Sequence, residues 1–139
     1  MAELKVTRLV AASPERAFDA WLDPKLARRF LFATPTGEMV RADIDARVGG
    51  KFTFVDRRPE HGDVLHEGHY EVIERPRRLV FTFAVPQYDP ARTRVAVDFA
   101  EAPGGCQVTL THSDVLPEYE AQTTQGWGMI LESLERALS

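Results

Sequence analysis

The chain has 139 residues, a net charge of −4, and 44% apolar and 27% charged residues. That composition excludes a disordered chain, and the length suits one domain spanning residues 1–139. The basic clusters Arg28-Arg29, Arg57-Arg58 and Arg75 to Arg78 are short and interleaved with acids. Such a pattern argues against nucleic acid or an anionic membrane as partner, because both need a concentrated basic face.

In chain order, Leu4, Val6 and Arg8 alternate with Lys5, Thr7 and Leu9, which predicts a strand. Ser13-Pro14-Glu15 then supplies a hydroxyl N-cap, a proline at the first helical position and an acid in the first turn. Phe18, Trp21 and Leu22 give that short helix an apolar face. Asp23-Pro24 repeats the start signal for a second helix, on which Leu26 and Phe30 share a side. Pro35-Thr36-Gly37 is turn chemistry. Strands are expected over 40–48 and 51–55 around Gly49-Gly50, followed by a polar loop from Asp56 to Asp63. Two more follow over 66–74 and 78–85. A turn spans Pro86 to Pro90, and a hairpin pairs 93–99 with 106–112 across Pro103-Gly104-Gly105. From about Pro117 to Leu138 the period changes. Trp127, Leu131, Leu134 and Leu138 draw one stripe down a long helix, widened by Ile130 and Ala137.

A lone amphipathic helix after a run of strands must bury its stripe on their sheet. The predicted class is therefore α+β: a curved antiparallel sheet wrapped around a long C-terminal helix, with two short helices after the first strand. Parity sorts the strand residues. Phe52, Phe54, Tyr70, Val72, Leu79, Phe81, Phe83, Val95, Val97, Phe99, Val108 and Leu110 should face the helix. His66, Gly68 and His112 should join them, while His69, Glu71, Arg94, Asp98, Thr109 and Thr111 face out. An inward histidine near a strand end sits at the rim of any enclosed space; bonding to a backbone carbonyl is the plain alternative to touching a ligand there. Gly126 and Gly128 flank Trp127 inside the helix. They either admit a close strand or leave room beside the indole.

Familiar catalytic patterns fail on inspection. His66 and His69 are separated by an odd number, so they point to opposite faces and cannot share a metal ion with His61. Gly50-Lys51 lacks the opening glycine and the Ser/Thr of a phosphate loop, and no Gly-x-Ser-x-Gly elbow exists. Cys106, His112 and Asp114 lie too near one another on one strand to form a triad. No metal or cofactor is expected. Cys106, the single cysteine, reads as a small buried hydrophobe. With no apolar leader and no run approaching the roughly 20 residues of a membrane span, the expected location is cytoplasmic.

Six segments occur in an order that resembles a known family. They are Ser13 to Trp21, Asp45 to Phe52, Gly68 to Ile73 with Pro76, Arg78 to Phe83, Val108 to His112, and Gly126-Trp127. Together they resemble the SRPBCC (START-like, helix-grip) superfamily, in the bacterial branch similar to the activator of the heat-shock-protein-90 ATPase. The resemblance implies a sheet gripping the C-terminal helix around a deep apolar cavity. It also implies carriage of lipids, sterols, polyketides or hormones, with cyclases and hydrolases among the superfamily, and it transfers no catalytic residues.

The function expected first is binding of a small apolar or amphipathic molecule between sheet and helix. The expected lining is Phe52, Phe54, His66, Tyr70, Phe81, Phe83, Phe99, His112 and Trp127. A pocket enzyme with His112 or His66 as general base is the first alternative, and a co-chaperone-like interaction module is the second. A chaperone and a second copy of the chain are the candidate protein partners.

Overall fold

The computed structural model describes residues 2–34, 36–87 and 89–138. Strand β1 (Ala2–Val10) leads through α1 (Pro14–Ala20) and α2 (Pro24–Phe30) to the strands β2 (Glu38–Ile44), β3 (Lys51–Arg58), β4 (Gly62–Glu74), β5 (Arg78–Val85), β6 (Asp89–Ala102) and β7 (Gly105–Val115). A single 3-10 turn, Pro117–Tyr119, precedes α3 (Glu120–Leu138). The two expected helix starts form as the sequence dictates. Ser13 accepts from the Arg16 amide at 3.2 Å and Asp23 from the Lys25 amide at 2.9 Å, each ahead of a proline.

Among the described residues the strands form one antiparallel sheet in the order β1-β7-β6-β5-β4-β3-β2. The chain thus returns β7 to β1 and leaves β1 and β2 as edges. The expected fold class holds. On α3, Trp127, Leu131, Leu134 and Leu138 are buried, the stripe the periodicity marked. Each such side chain contributes about 1.5–3 kcal/mol by leaving water. Polar ties fix the second half of α3: Arg8 donates to Glu135 through two nitrogens, at 2.7 and 3.1 Å. Arg16 donates to the Leu138 carbonyl at 2.9 Å, satisfying an acceptor that the helix end leaves open.

Three expectations need correction. The strand expected over 40–48 ends at Ile44; Asp45 to Gly50 make a turn in which Gly49 has φ 84 and donates its amide to the Tyr70 carbonyl at 2.8 Å. The polar loop expected from Asp56 to Asp63 is mostly strand, since β3 runs to Arg58 and β4 begins at Gly62. Charge there was no bar to pairing, and parity then turns Asp56 inward with Phe52 and Phe54. Val72 does not face the helix. An irregularity between Tyr70 and Val72 inserts a residue, so the inward position passes to Ile73, opposite Leu79. Of the expected turn residues, Pro35 and Tyr88 lie outside the described residues.

Candidate functional site

Deep between sheet and helix the space is closed by rings. Trp21 meets Phe30 edge-on at 5.3 Å and Phe18 meets Phe99 at 5.4 Å. Phe52 contacts Tyr70 at 5.5 Å and Phe81 at 5.4 Å. The residual cavity bordered by Phe52, Tyr70 and Phe81 is about 10 Å³, the room of one water. Burial raises the Tyr70 hydroxyl's pKa well above its ordinary value.

The other end of the sandwich is open. A cleft of about 300 Å³ is bordered by Phe32, Arg58, His66, Phe83, Gly126 and Trp127 among others. A neighbouring one of about 660 Å³ is bordered by Phe83, Thr93, His112, Leu116, Tyr119 and Arg58. The two share Arg58, Phe83 and Thr123. Four of the nine residues expected from sequence therefore border open space: His66, Phe83, His112 and Trp127. Phe52, Tyr70 and Phe81 border the water-sized void instead, and Phe54 and Phe99 border none of these spaces.

His112 is held on both sides. The Trp127 indole donates to its Nδ1 at 3.0 Å, and its Nε2 lies 2.6 Å from Thr93 Oγ1. An indole N–H can only donate, so Nδ1 is the acceptor and the ring proton belongs on Nε2. Nε2 then donates to Thr93, whose hydroxyl donates to the Phe83 carbonyl at 3.0 Å. One chain of bonds thus joins α3 to β7, β6 and β5. Desolvation lowers the His112 pKa to about 4 against a small opposing pull from Asp114. The backbone-carbonyl partner considered from sequence is replaced by a side-chain pair.

His66 is also buried, and desolvation, assisted by the Arg58 charge, lowers its pKa to about 4. Its Nδ1 is buried without a partner. Two neutral imidazoles of such low basicity make weak proton acceptors near neutral pH. His69 lies on the opposite face, its Nδ1 2.8 Å from an Arg92 nitrogen.

Two features escaped the sequence reading. Asp56 is fully buried and its Oδ2 accepts from Arg58 at 2.9 Å and from the Thr34 hydroxyl at 2.8 Å. Its Oδ1 has no partner. Extending the Phe52, Phe54 parity by two and four would have found this pair, had the segment been read as strand. Phe32 is the second; it follows α2, has φ 61, and sends its ring into the hollow. A left-handed phenylalanine has no sequence signature. The helix glycines resolve toward room: a Cβ built on Gly126 or Gly128 meets nothing within 4 Å.

Compared with known proteins, residues 11–139 match the sequence profile of the AHSA1 family, described as "Activator of Hsp90 ATPase homolog 1-like protein". The chain belongs to that family. No curated protein matches this AHSA1-like chain. Among solved structures, it is similar to a protein from Chromobacterium violaceum, at 19% identity and TM-score 0.85, covering 98% of this chain and 96% of that one. It is similar also to an AHSA1-like protein from Aeromonas hydrophila, at 26% identity and TM-score 0.84, covering 99% and 92%. A Staphylococcus aureus protein of unknown function gives 19% identity and TM-score 0.84, covering 98% and 92%. Such likenesses establish the helix-grip fold that the AHSA1-like chain shares with them. Among the described residues, no helix is long and apolar enough to cross a membrane.

Proposed function

We propose that this AHSA1-like protein binds a small apolar or amphipathic molecule at the open end of the grip, across the adjoining clefts beside Phe83. The observation that carries this reading is their shared border: an apolar ring, Phe83, next to the guanidinium of Arg58 and the hydroxyl of Thr123. A mostly apolar concavity with a few polar groups is the usual make-up of a ligand site. The deep rings Phe52, Phe54, Tyr70, Phe81 and Phe99 support the site from below. His66, His112 and Trp127 form its wall. A cytoplasmic location accords with the single buried thiol.

Thermal unfolding with increasing decanoate or decanol tests the reading. A ligand that binds only the folded chain raises Tm with concentration by mass action. An unmoved Tm across a panel of alkyl and aryl amphiphiles, with no co-purifying mass in native mass spectrometry, removes it. The family description supports a second reading, a contact with a chaperone ATPase. The ATPase rate of the Hsp90-type chaperone with and without this protein decides that one. A general-base role for His112 or His66 is least supported, because Trp127 occupies the Nδ1 lone pair of His112 and burial lowers both imidazoles to a pKa of about 4.

A further inference from the structure

The ring that closes the upper hollow belongs to neither the sheet nor the long helix. Phe32 comes from the segment joining α2 to β2, and its backbone sits at φ 61, a region that bulky side chains resist. Its ring lies nearly parallel to Phe83 (4.9 Å, 2°) and His66 (4.6 Å, 12°). Trp127 and Phe54 meet it edge-on at 5.9 and 5.5 Å. The walls of this slot come from β3, β4, β5 and α3, whereas its occupant arrives on a connecting segment. Parallel and edge-on contacts on several sides are the arrangement aromatic pairs favour, so the slot suits any flat ring.

Arg58 borders the same cleft. Its Nε is bound by Asp56 at 2.9 Å, and among the described residues its terminal nitrogens make no hydrogen bond. Those two nitrogens are a fork suited to a carboxylate. We infer that Phe32 is a resident stand-in for ligand, and that the slot takes one flat ring of an aromatic carboxylate, its charged group on Arg58, when the Phe32 ring swings out. This rests on the clefts being the ligand site and specifies what fills them.

The test compares 2-naphthoate, 2-naphthol and decanoate by calorimetry on the full chain and on Phe32→Gly, which removes the ring and accepts the positive φ. Deleting a competing occupant removes its tax on affinity, so 2-naphthoate should bind Phe32→Gly about tenfold tighter than the native chain, with decanoate changing less than about threefold. Arg58→Gln should weaken 2-naphthoate about tenfold and leave 2-naphthol within about threefold. Equal 2-naphthoate affinity in the native chain and Phe32→Gly overturns the slot; if decanoate still binds, the broader ligand reading stands. Binding of none of the three probes to either chain overturns both. Should Phe32→Gly not fold, 4-fluorophenylalanine at position 32 reports directly. Its fluorine resonance moves toward the solvent value on saturation with 2-naphthoate if the ring leaves, and an unmoved resonance overturns the inference.

Discussion

The indole of Trp127 donates to Nδ1 of His112 across 3.0 Å of buried interior, joining the long helix to the sheet beside the open clefts. Because that bond fixes the imidazole as the Nε2–H tautomer, it also commits the opposite nitrogen to Thr93. The pair thus ties the wall of the clefts together and leaves neither ring nitrogen of His112 without a partner.

His112→Leu leaves the indole N–H and the Thr93 hydroxyl without their partner. It should destabilise by about 1–3 kcal/mol, the cost of an unsatisfied buried group, and Trp127→Phe should also destabilise by opening space. Urea denaturation of the single and double variants reads the coupling: the double should cost less than the sum. Additive losses would mean that the bond contributes nothing beyond packing.

Both His66 and His112 have folded pKa values of about 4 against an ordinary 6.5. Burial favours their neutral forms, so below pH 6.5 the unfolded chain takes up protons that the folded chain refuses. Stability is therefore fully present above pH 6.5, falls as pH drops toward 4, and levels off for these groups below that. The loss is roughly 3 kcal/mol per histidine. His112→Phe should show a shallower fall between pH 6.5 and 4 than the native chain when unfolding free energies are compared at several pH values.

Asp56 and Arg58 form a pair with 1% and 23% of their side chains exposed. Removing the arginine alone strands a buried carboxylate, so Arg58→Ala should cost about 3–5 kcal/mol. The double variant Asp56→Ala, Arg58→Ala should be more stable than Arg58→Ala. Chemical denaturation ranks the two, and the opposite order would show that water reaches Asp56 freely.

The glycines make an opposed pair of predictions. A Cβ at Gly68 would lie 1.8 Å from the Thr82 carbonyl oxygen and 2.7 Å from the Phe52 ring, so Gly68→Ala should fold poorly. Gly126 has open space and a helical position, so Gly126→Ala should stabilise by up to about 1 kcal/mol. Its methyl group would enter the smaller cleft and weaken a bound probe there. Melting temperature and probe affinity should move in opposite directions.

Much of this was legible because it follows from period and punctuation. The 3.6-residue stripe through Trp127 and Leu138, the Ser13-Pro14 and Asp23-Pro24 starts, and the period-two apolar sets gave the helices, strands and inner face. What stayed hidden needed three dimensions. The irregularity after Tyr70 exchanges Val72 for Ile73, and no residue type announces it. Asp56 and Arg58 were masked by their charge, which suggests a loop until a buried partner is known. Phe32 could not be foreseen at all, since its inward turn depends on a backbone angle that composition disfavours.

The two halves of α3 carry unequal loads. Beyond Trp127 the helix is anchored by Leu131, Leu134 and Leu138 and tied down by Arg8 and Arg16, while residues 120–126 are without a fully buried side chain. Substitutions along the earlier turns can therefore reshape the mouth of the protein at little cost to its foundation. Sequence change there alters the cleft walls on an unchanged scaffold, a division of labour within one rod.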